Sequence, residues 1–272
     1  MMASVQPDTS DEAEVPLAGG NMSHVIRRGQ VVHRNAGPWT PTIHRLLDHL
    51  HAHGATFLPR PLGLDEQGRE MLTYLPGTVP TYPMPSWVWS EDVLTKAARR
   101  LAQVHQASGG FDTSDAVWQL PANTPAEVIC LNDVAPYNMV FDDAHQLIGI
   151  IDLDTASPGP RVWDLAYLAY RLAPLSQVEN TGAGVPSLAV RRHRLALLCR
   201  AYANDGDRVA IGVHDVLRNT IARLEDLAAF TAARAAAGAT QVAAHVQAYR
   251  DDARWVDEHL QELTIADDGA TY

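Results

Sequence analysis

The chain reads LNDVAPYN at residues 131–138 and IDLD at residues 151–154. Between these two segments, short apolar runs flank the polar pair at residues 142–143, a pattern that predicts a β-hairpin. Such a hairpin carries the chain outward from Asn138 and returns it to Asp152. The two segments therefore predict a cluster of polar side chains at one end of a single hairpin.

The residue types in this cluster suit phosphoryl transfer. That reaction requires an aligned hydroxyl group and cations that neutralise the charge of the phosphates. Asp133 is an acid that can accept the proton of the hydroxyl, whereas Asn138 and Asp152 offer the amide and carboxylate oxygens that suit Mg²⁺. We therefore predict that Asp133 is the catalytic base and that Asn138 and Asp152 are Mg²⁺ ligands. Asp154 either faces the substrate or assists the metal site.

These residues resemble the catalytic loop and metal-binding segment of the aminoglycoside phosphotransferase family, a branch of the protein-kinase-like fold. The family usually reads His-(Gly or Asn)-Asp-x4-Asn and then Ile-Asp. The sequence WDLA at residues 163–166 is similar to the start of a helix in that family, and there we expect Asp164 to support the catalytic loop. The resemblance is specific over residues 127–170. It implies an α+β, two-lobed fold with a small β-rich N-lobe and a larger, mostly helical C-lobe.

One position departs from the family pattern, because Leu131 stands where the family has His. In related kinases that His supports the metal-binding segment by packing and hydrogen bonding, and it is not the base. Leu fills a similar volume but cannot donate a hydrogen bond. The departure therefore predicts a weakened support for the site rather than the loss of its chemistry.

The resemblance also implies a loop that covers the nucleotide, and Gly19, Gly20 and Ser23 occupy the matching place. Glycines permit close approach of the backbone to phosphates, and Ser23 can bond a phosphate oxygen. Kinases place a Lys on a following strand and pair it with a Glu on a helix. The only Lys of this chain, Lys96, lies in a later predicted helix. We therefore predict that Arg34 replaces it.

The helix that should provide the Glu has His44 at the approximate place, and Asp48 is its nearest acid. The predicted strand Glu70–Leu75 leads towards the hinge between the lobes, where Tyr74 and Leu75 should hold the edge of the nucleotide base. Because backbone groups make such contacts, no side chain distinguishes ATP from GTP as the phosphate donor.

Three regions follow from patterning along the chain. Residues 1–15 are acidic with little apolar content and predict a disordered leader. Residues 16–76 should form the N-lobe and residues 77–272 the helical C-lobe. Helical periodicity predicts helices at residues 41–53, 164–173, 187–204, 210–236 and 241–263.

Composition excludes some classes of partner. With 32 acidic and 21 basic residues, the net charge of −11 argues against nucleic acid and is compatible with a cationic substrate. No apolar stretch reaches the length needed to span a membrane. Two cysteines, Cys130 and Cys199, are too few for a disulfide framework, so we expect a cytoplasmic protein.

Together, the motifs and the resemblance predict a nucleotide-dependent phosphotransferase that uses Mg²⁺ and acts on a hydroxyl of a small molecule. The resemblance points to amino-bearing acceptors, either aminoglycoside-like compounds or natural-product metabolites. A peptide hydroxyl in a natural-product pathway is an alternative acceptor. A different class, a pseudokinase that binds or scaffolds, is favoured by Leu131 and by the missing Lys and Glu pair. Magnesium-dependent nucleotide turnover would distinguish the two classes.

Overall fold

The computed structural model describes residues 13–17, 25–176, 185–204 and 209–265. The predicted phosphate loop residues Gly19, Gly20 and Ser23, and most of the predicted leader, lie outside the described residues.

The first lobe is built on five short antiparallel strands in the order β1-β2-β3-β5-β4. The strands are β1 Val15–Pro16, β2 Ile26–Arg28, β3 Val31–Arg34, β4 Pro61–Leu64 and β5 Glu70–Thr73. Helix α1, Thr40–Ala52, joins β3 to β4 and buries Ile43, Leu46, Leu47 and Leu50, which share one face because of their helical spacing. The predicted helix at residues 41–53 is confirmed.

Helices form most of the second lobe. They are α2 Glu91–Ala107, α3 Arg161–Leu172, α4 Leu188–Ala203, α5 Val213–Ala236, α6 Ala243–Glu258 and α7 Leu260–Thr264. Helix α5 packs along α3 and α6, and α2 packs against α4. The predicted helix at residues 241–263 is two helices, because α6 ends at Glu258 and α7 begins at Leu260.

Two strand pairs carry the segments quoted above. Strand β6, Val128–Cys130, pairs with β9, Ser157–Gly159, and β7, Met139–Phe141, pairs with β8, Leu147–Ile150. The predicted hairpin is therefore confirmed. At its base, the amide of Ile151 donates to the carbonyl of Asn138 at 2.9 Å, which places Asp152 beside Asn138.

The chain that leaves the first lobe is attached to this hairpin. Thr78 and Phe141 exchange two backbone hydrogen bonds of 2.8 and 2.9 Å. Gly77 approaches so closely that a Cβ atom on it would lie 2.5 Å from the carbonyl oxygen of Phe141. The β-rich first lobe and the helical second lobe confirm the predicted α+β, two-lobed fold class, while the boundary at residue 76 stays a prediction. No helix in the described ranges has the length and apolar character needed to cross a membrane.

We expect Gly77→Ala to destabilise the protein, because the added Cβ collides with backbone that cannot easily move. Overpacking of this kind costs about 1–3 kcal/mol. Gly68→Ala is the control, because Gly68 has a φ of +75° and no atom lies within 4 Å of an added Cβ. The control should therefore lose only the roughly 1–2 kcal/mol of stability that a left-handed backbone costs a residue with a Cβ. Urea unfolding of both variants measures the difference, and a smaller loss for Gly77→Ala than for its control would contradict the close approach.

Candidate active site

Arg34 lies at the end of β3 with its guanidinium among three carboxylates. Its Nη1 donates to Asp152 Oδ1 at 2.8 Å, its Nε donates to Glu70 Oε2, and its Nη2 donates to Asp154 Oδ1. Burial by itself would lower the pKa of Arg34, but the charges of Asp154, Glu70 and Asp152 raise it above the ordinary value. Arg34 is therefore a permanent cation that joins the first lobe to the segment after β8.

Glu70 is the acidic partner that sequence reasoning did not find. It is fully buried and stands directly opposite Arg34 in the register of β3 and β5. Helix α1 carries no Glu, as expected, but its His44 donates from Nε2 to Glu70 Oε1 at 2.9 Å. Burial would raise the pKa of Glu70, whereas His44 and Arg34 lower it below the ordinary value. The only available sequence signal was a cross-strand charge pair, which requires the strand register to be known.

Asp133, Asn138 and Asp152 lie at the base of the β7–β8 hairpin. The side-chain nitrogen of Asn138 donates to two atoms of Asp133, the backbone carbonyl oxygen at 2.9 Å and Oδ2 at 3.0 Å. Because the amide nitrogen is used in this way, Oδ1 of Asn138 is the atom available to a cation. The Asp152 side chain is 46% exposed and its backbone has a φ of +63°, an uncommon conformation that clusters at functional sites. This oxygen donor set fits Mg²⁺.

The loop before Asp133 is fixed by one buried acid. Asp164, at the start of α3, accepts the amides of Leu131 at 2.6 Å and Asn132 at 2.8 Å. His105 of α2 donates to the same carboxylate at 3.1 Å, and its other nitrogen lies 2.8 Å from the hydroxyl of Tyr202. Since Asp164 is fully buried, these contacts satisfy a charge that would otherwise be costly.

Further bonds hold the loop without an imidazole at position 131. The side chain of Leu131 is buried in the apolar core, and its carbonyl accepts the hydroxyl of Thr155 at 2.9 Å. Asn132 has a φ of +64°, and its side chain donates to the Thr155 carbonyl at 2.8 Å and to Ser157 Oγ at 2.9 Å. Arg223 donates to the carbonyl of Asn132 at 2.5 Å. These bonds therefore position the loop in place of a donor at position 131.

A chain of hydrogen bonds through two tyrosines and an arginine leads to Asp133 from the other side. Tyr137 donates to Asp133 Oδ1 at 2.7 Å, its hydroxyl lies 2.8 Å from that of Tyr167, and Arg171 donates to Tyr167 at 2.8 Å. Burial raises the pKa of Tyr137, and raises that of Tyr167 to about 12. Both hydroxyls thus stay protonated near neutral pH. None of these three residues was predicted from the sequence; Tyr137 follows Asp133 in the loop, and Tyr167 and Arg171 belong to α3.

The predicted hinge residues follow β5. The backbone amide of Tyr74 donates to the carbonyl of Gln30 at 2.8 Å. The guanidinium of Arg27 lies 4.5 Å from the centre of the Tyr74 ring. Leu75 packs on Gly149, where an added Cβ would lie 2.6 Å from Leu75 Cδ1. The first lobe therefore rests on the hairpin through Leu75.

A second group of potential metal ligands supports the loop instead. The side chains of His105, Cys130 and Asp164 bring one ligand atom each within 4.8 Å of the others. Both nitrogens of His105 and both oxygens of Asp164 already form the bonds described above. Burial raises the pKa of the Cys130 thiol, which donates to the carbonyl of Pro160 at 3.3 Å. A protonated thiol is a poor ligand and a poor nucleophile.

The chain is similar to several phosphotransferases. Residues 111–208, which contain both active-site segments, match the phosphotransferase enzyme family APH. The trifolitoxin immunity protein of Rhizobium leguminosarum bv. trifolii is 32% identical over 199 residues, or 70% of this chain and 74% of that protein.

Solved structures share the fold. A choline/ethanolamine kinase family protein from Mesorhizobium loti superposes with a TM-score of 0.62 at 14% identity and covers 94% of each chain. The ADP-bound aminoglycoside phosphotransferase APH(2'')-Ib superposes with a TM-score of 0.51 at 13% identity, over 90% of this chain and 94% of that one. These likenesses agree with the two-lobed, kinase-like architecture.

We expect Leu131→His to destabilise the protein, because the buried imidazole would replace an apolar side chain among apolar neighbours. A buried donor without a partner costs about 1–3 kcal/mol. The control Leu131→Met keeps the apolar character and similar volume, and should cost less than about 1.5 kcal/mol. Melting temperature and phosphate transfer are measured on the same preparations. An unchanged melting temperature with faster transfer would instead show that the imidazole finds a partner in the metal-binding segment.

Proposed function

As this chain belongs to the phosphotransferase enzyme family, we propose that it moves the terminal phosphate of ATP or GTP to a hydroxyl group of a small molecule in the cytoplasm. Membership of this family supports a phosphotransferase with a hydroxyl acceptor. One observation supports the detailed proposal most. Segments distant in sequence bring a proposed base, two proposed oxygen ligands and a cation together in a single cluster, which consists of Asp133, Asn138, Asp152 and Arg34.

Asp133 is the proposed base. Tyr137 donates to one carboxylate oxygen of Asp133 and Asn138 donates to the other, so the carboxylate has a fixed orientation. An ionised carboxylate has about four acceptor sites, so each oxygen can accept one further hydrogen bond. In the proposed reaction, an acceptor hydroxyl takes one of these places and transfers its proton to Asp133 as the hydroxyl oxygen bonds to the terminal phosphorus. The bond between that phosphorus and the bridging oxygen breaks, and the nucleoside diphosphate leaves.

Asn138 and Asp152 would hold Mg²⁺, which when bound supplies positive charge that neutralises the phosphates. Arg34 fixes the direction of the Asp152 carboxylate and, with the predicted Gly19, Gly20 and Ser23 loop, positions the phosphates. Three nitrogens of Arg34 each donate once to a carboxylate, and the guanidinium has five N–H groups in all, so donors remain for a phosphate oxygen. The base of the nucleotide would lie against the backbone at residues 74–75.

The acceptor class is suggested by the immunity relative, whose name describes protection from a toxin. Phosphorylation of a hydroxyl on a small or peptide natural product would add charge and so change its recognition by a target. Screening hydroxyl-bearing metabolites, aminoglycosides and peptides with labelled ATP and GTP tests this proposal. Transfer to at least one acceptor in the presence of Mg²⁺ is the expected result.

A pseudokinase is the second candidate, favoured by the apolar Leu131 and by an Arg in place of the kinase Lys. The oriented carboxylate of Asp133 and the oxygen pair of Asn138 and Asp152 argue for turnover. Nucleotide binding without magnesium-dependent turnover, across all acceptors and with water, would establish the pseudokinase instead.

We expect Asp133→Asn to lower phosphate transfer by about 10²–10⁴-fold, because an amide cannot accept the proton of the hydroxyl. Nucleotide affinity should stay close to that of the wild type, since Asp133 meets the acceptor. Asp115→Asn, an exposed acid in a loop, is the control and should leave transfer unchanged. Turnover above roughly a tenth of the wild-type rate in Asp133→Asn would exclude Asp133 as the base.

We expect Asp152→Ala to weaken magnesium-dependent nucleotide binding by at least about tenfold, because a carboxylate ligand is lost. Asp143→Ala removes an exposed acid from the turn of the same hairpin and should have no effect. Calorimetric titration of nucleotide with and without Mg²⁺ measures both variants. Equal affinity of Asp152→Ala and wild type at saturating Mg²⁺ would show that Asp152 is not a ligand.

A further inference from the structure

Arg171 of α3 lies in a pocket of phenol rings close to the proposed base. Its guanidinium carbon is 5.6, 5.0 and 4.9 Å from the ring centres of Tyr137, Tyr167 and Tyr170. The hydroxyl of Tyr170 is fixed by donation to the buried carboxylate of Asp252 at 2.8 Å. Ring faces attract a cation, and this arrangement holds Arg171 in place.

The hydrogen bonds that link Arg171 to Asp133 through Tyr167 and Tyr137 all donate towards Asp133. An ionised Asp133 only accepts, so the proton of Tyr137 points at Asp133. The oxygen of Tyr137 must then accept from Tyr167, whose own oxygen accepts from Arg171 Nη2. The Tyr137 proton is thus committed to Asp133 and the Tyr167 proton to Tyr137, whereas the guanidinium gives only one of its N–H groups to the described residues.

The remaining donors of Arg171 lack an acidic partner. Within the described ranges, no carboxylate forms an ion pair with Arg171, and its contacts are with tyrosine side chains. Its Nε is buried and has no hydrogen-bond partner among the described residues. The chain carries a net charge of −11, so acids are plentiful elsewhere. A cation so placed, with free planar donors, suits an oxyanion.

We propose that Arg171 binds an oxyanion, a carboxylate or a phosphate ester, on the acceptor whose hydroxyl meets Asp133. This inference rests on the proposed function, since it places both groups of one compound at one site. The acceptor hydroxyl contacts Asp133, and the anionic group lies two tyrosine hydroxyls away, against the free N–H groups of Arg171. A cationic group at that position would be repelled, so any amine of the acceptor lies elsewhere.

Four small alcohols of similar size test the charge preference on the full chain, with and without ADP and Mg²⁺. Glycerate carries a carboxylate, glycerol 3-phosphate a phosphate ester, 2-amino-1,3-propanediol an amine, and glycerol no charge. Ligand-observed NMR titration measures their affinities. At least one of the two anionic probes should bind more tightly than glycerol, and the better of the two identifies the source of the oxyanion. Failure of both anions to bind more tightly than glycerol would overturn the proposal without the need for any variant.

Three variants locate the preference. Arg171→Gln should weaken binding of the anionic probe by roughly ten- to a hundredfold and leave glycerol unaffected. Arg171→Lys keeps the charge without the planar fork and should retain part of the anion preference. Tyr167→Phe breaks the path to Asp133 but keeps ring and guanidinium, so the preference should persist. Equal anion binding in wild type and Arg171→Gln, or its loss in Tyr167→Phe alone, would show that Arg171 only supports Asp133.

The same probes separate this inference from the proposed function. Asp133→Asn should keep the preference for the anionic probe over glycerol, because Arg171 is unchanged. Anion preference in both proteins without phosphate transfer to any acceptor would refute the proposed reaction and leave the Arg171 site established. Transfer to neutral or cationic acceptors, at rates that Arg171→Gln does not change, would support the reaction and refute the Arg171 site.

Discussion

The structure depends on the neutralisation of one buried guanidinium. Arg34 lies at the end of β3 in the first lobe. Its charge is balanced by Glu70 from β5, the neighbouring strand in the sheet, and by Asp152 and Asp154 from the segment after β8. Removing one partner of a buried ion pair costs about 3–5 kcal/mol. The ion pairs of Arg34 therefore fix the position of the β-rich lobe relative to the proposed metal-binding segment.

The acids around Arg34 depend on it in turn. Burial and the charges of Asp152 and Glu70 raise the pKa of Asp154, whereas Arg34 and Trp39 lower it, and together these effects raise it to about 6. Separation of the lobes would thus leave Asp152 and Asp154 without their shared cation, while Glu70 would stay beside Arg34. An Arg suits this position because its planar group offers donors in several directions, which a Lys ammonium on a flexible stem does not match in geometry. The proposed replacement of the kinase Lys by Arg34 agrees with a cation that serves three acids at once.

The loop that carries Asp133 shows how a site tolerates the loss of a family residue. Asp164 accepts two consecutive backbone amides, and Arg223 donates to a carbonyl of the same turn. These bonds depend on backbone groups, which every residue provides, so the side chain at position 131 is free to be apolar. Leu131 accordingly packs in the core. The departure from the family pattern alters packing but leaves the loop anchored.

The sequence by itself determined the features that lie within one local stretch of chain. Apolar alternation around the turn at residues 142–143 predicted the β7–β8 hairpin, and the hairpin alone brings Asn138 beside Asp152, because adjacent antiparallel strands return the chain to its starting point. Only the tertiary structure decided the partners that arrive from elsewhere. Glu70 meets Arg34 through strand register, and the packing of helix α3 links Arg171 to Asp133 through the hydroxyls of Tyr167 and Tyr137. Such contacts depend on how separate elements pack, and single side chains carry no local periodic signal that predicts this packing.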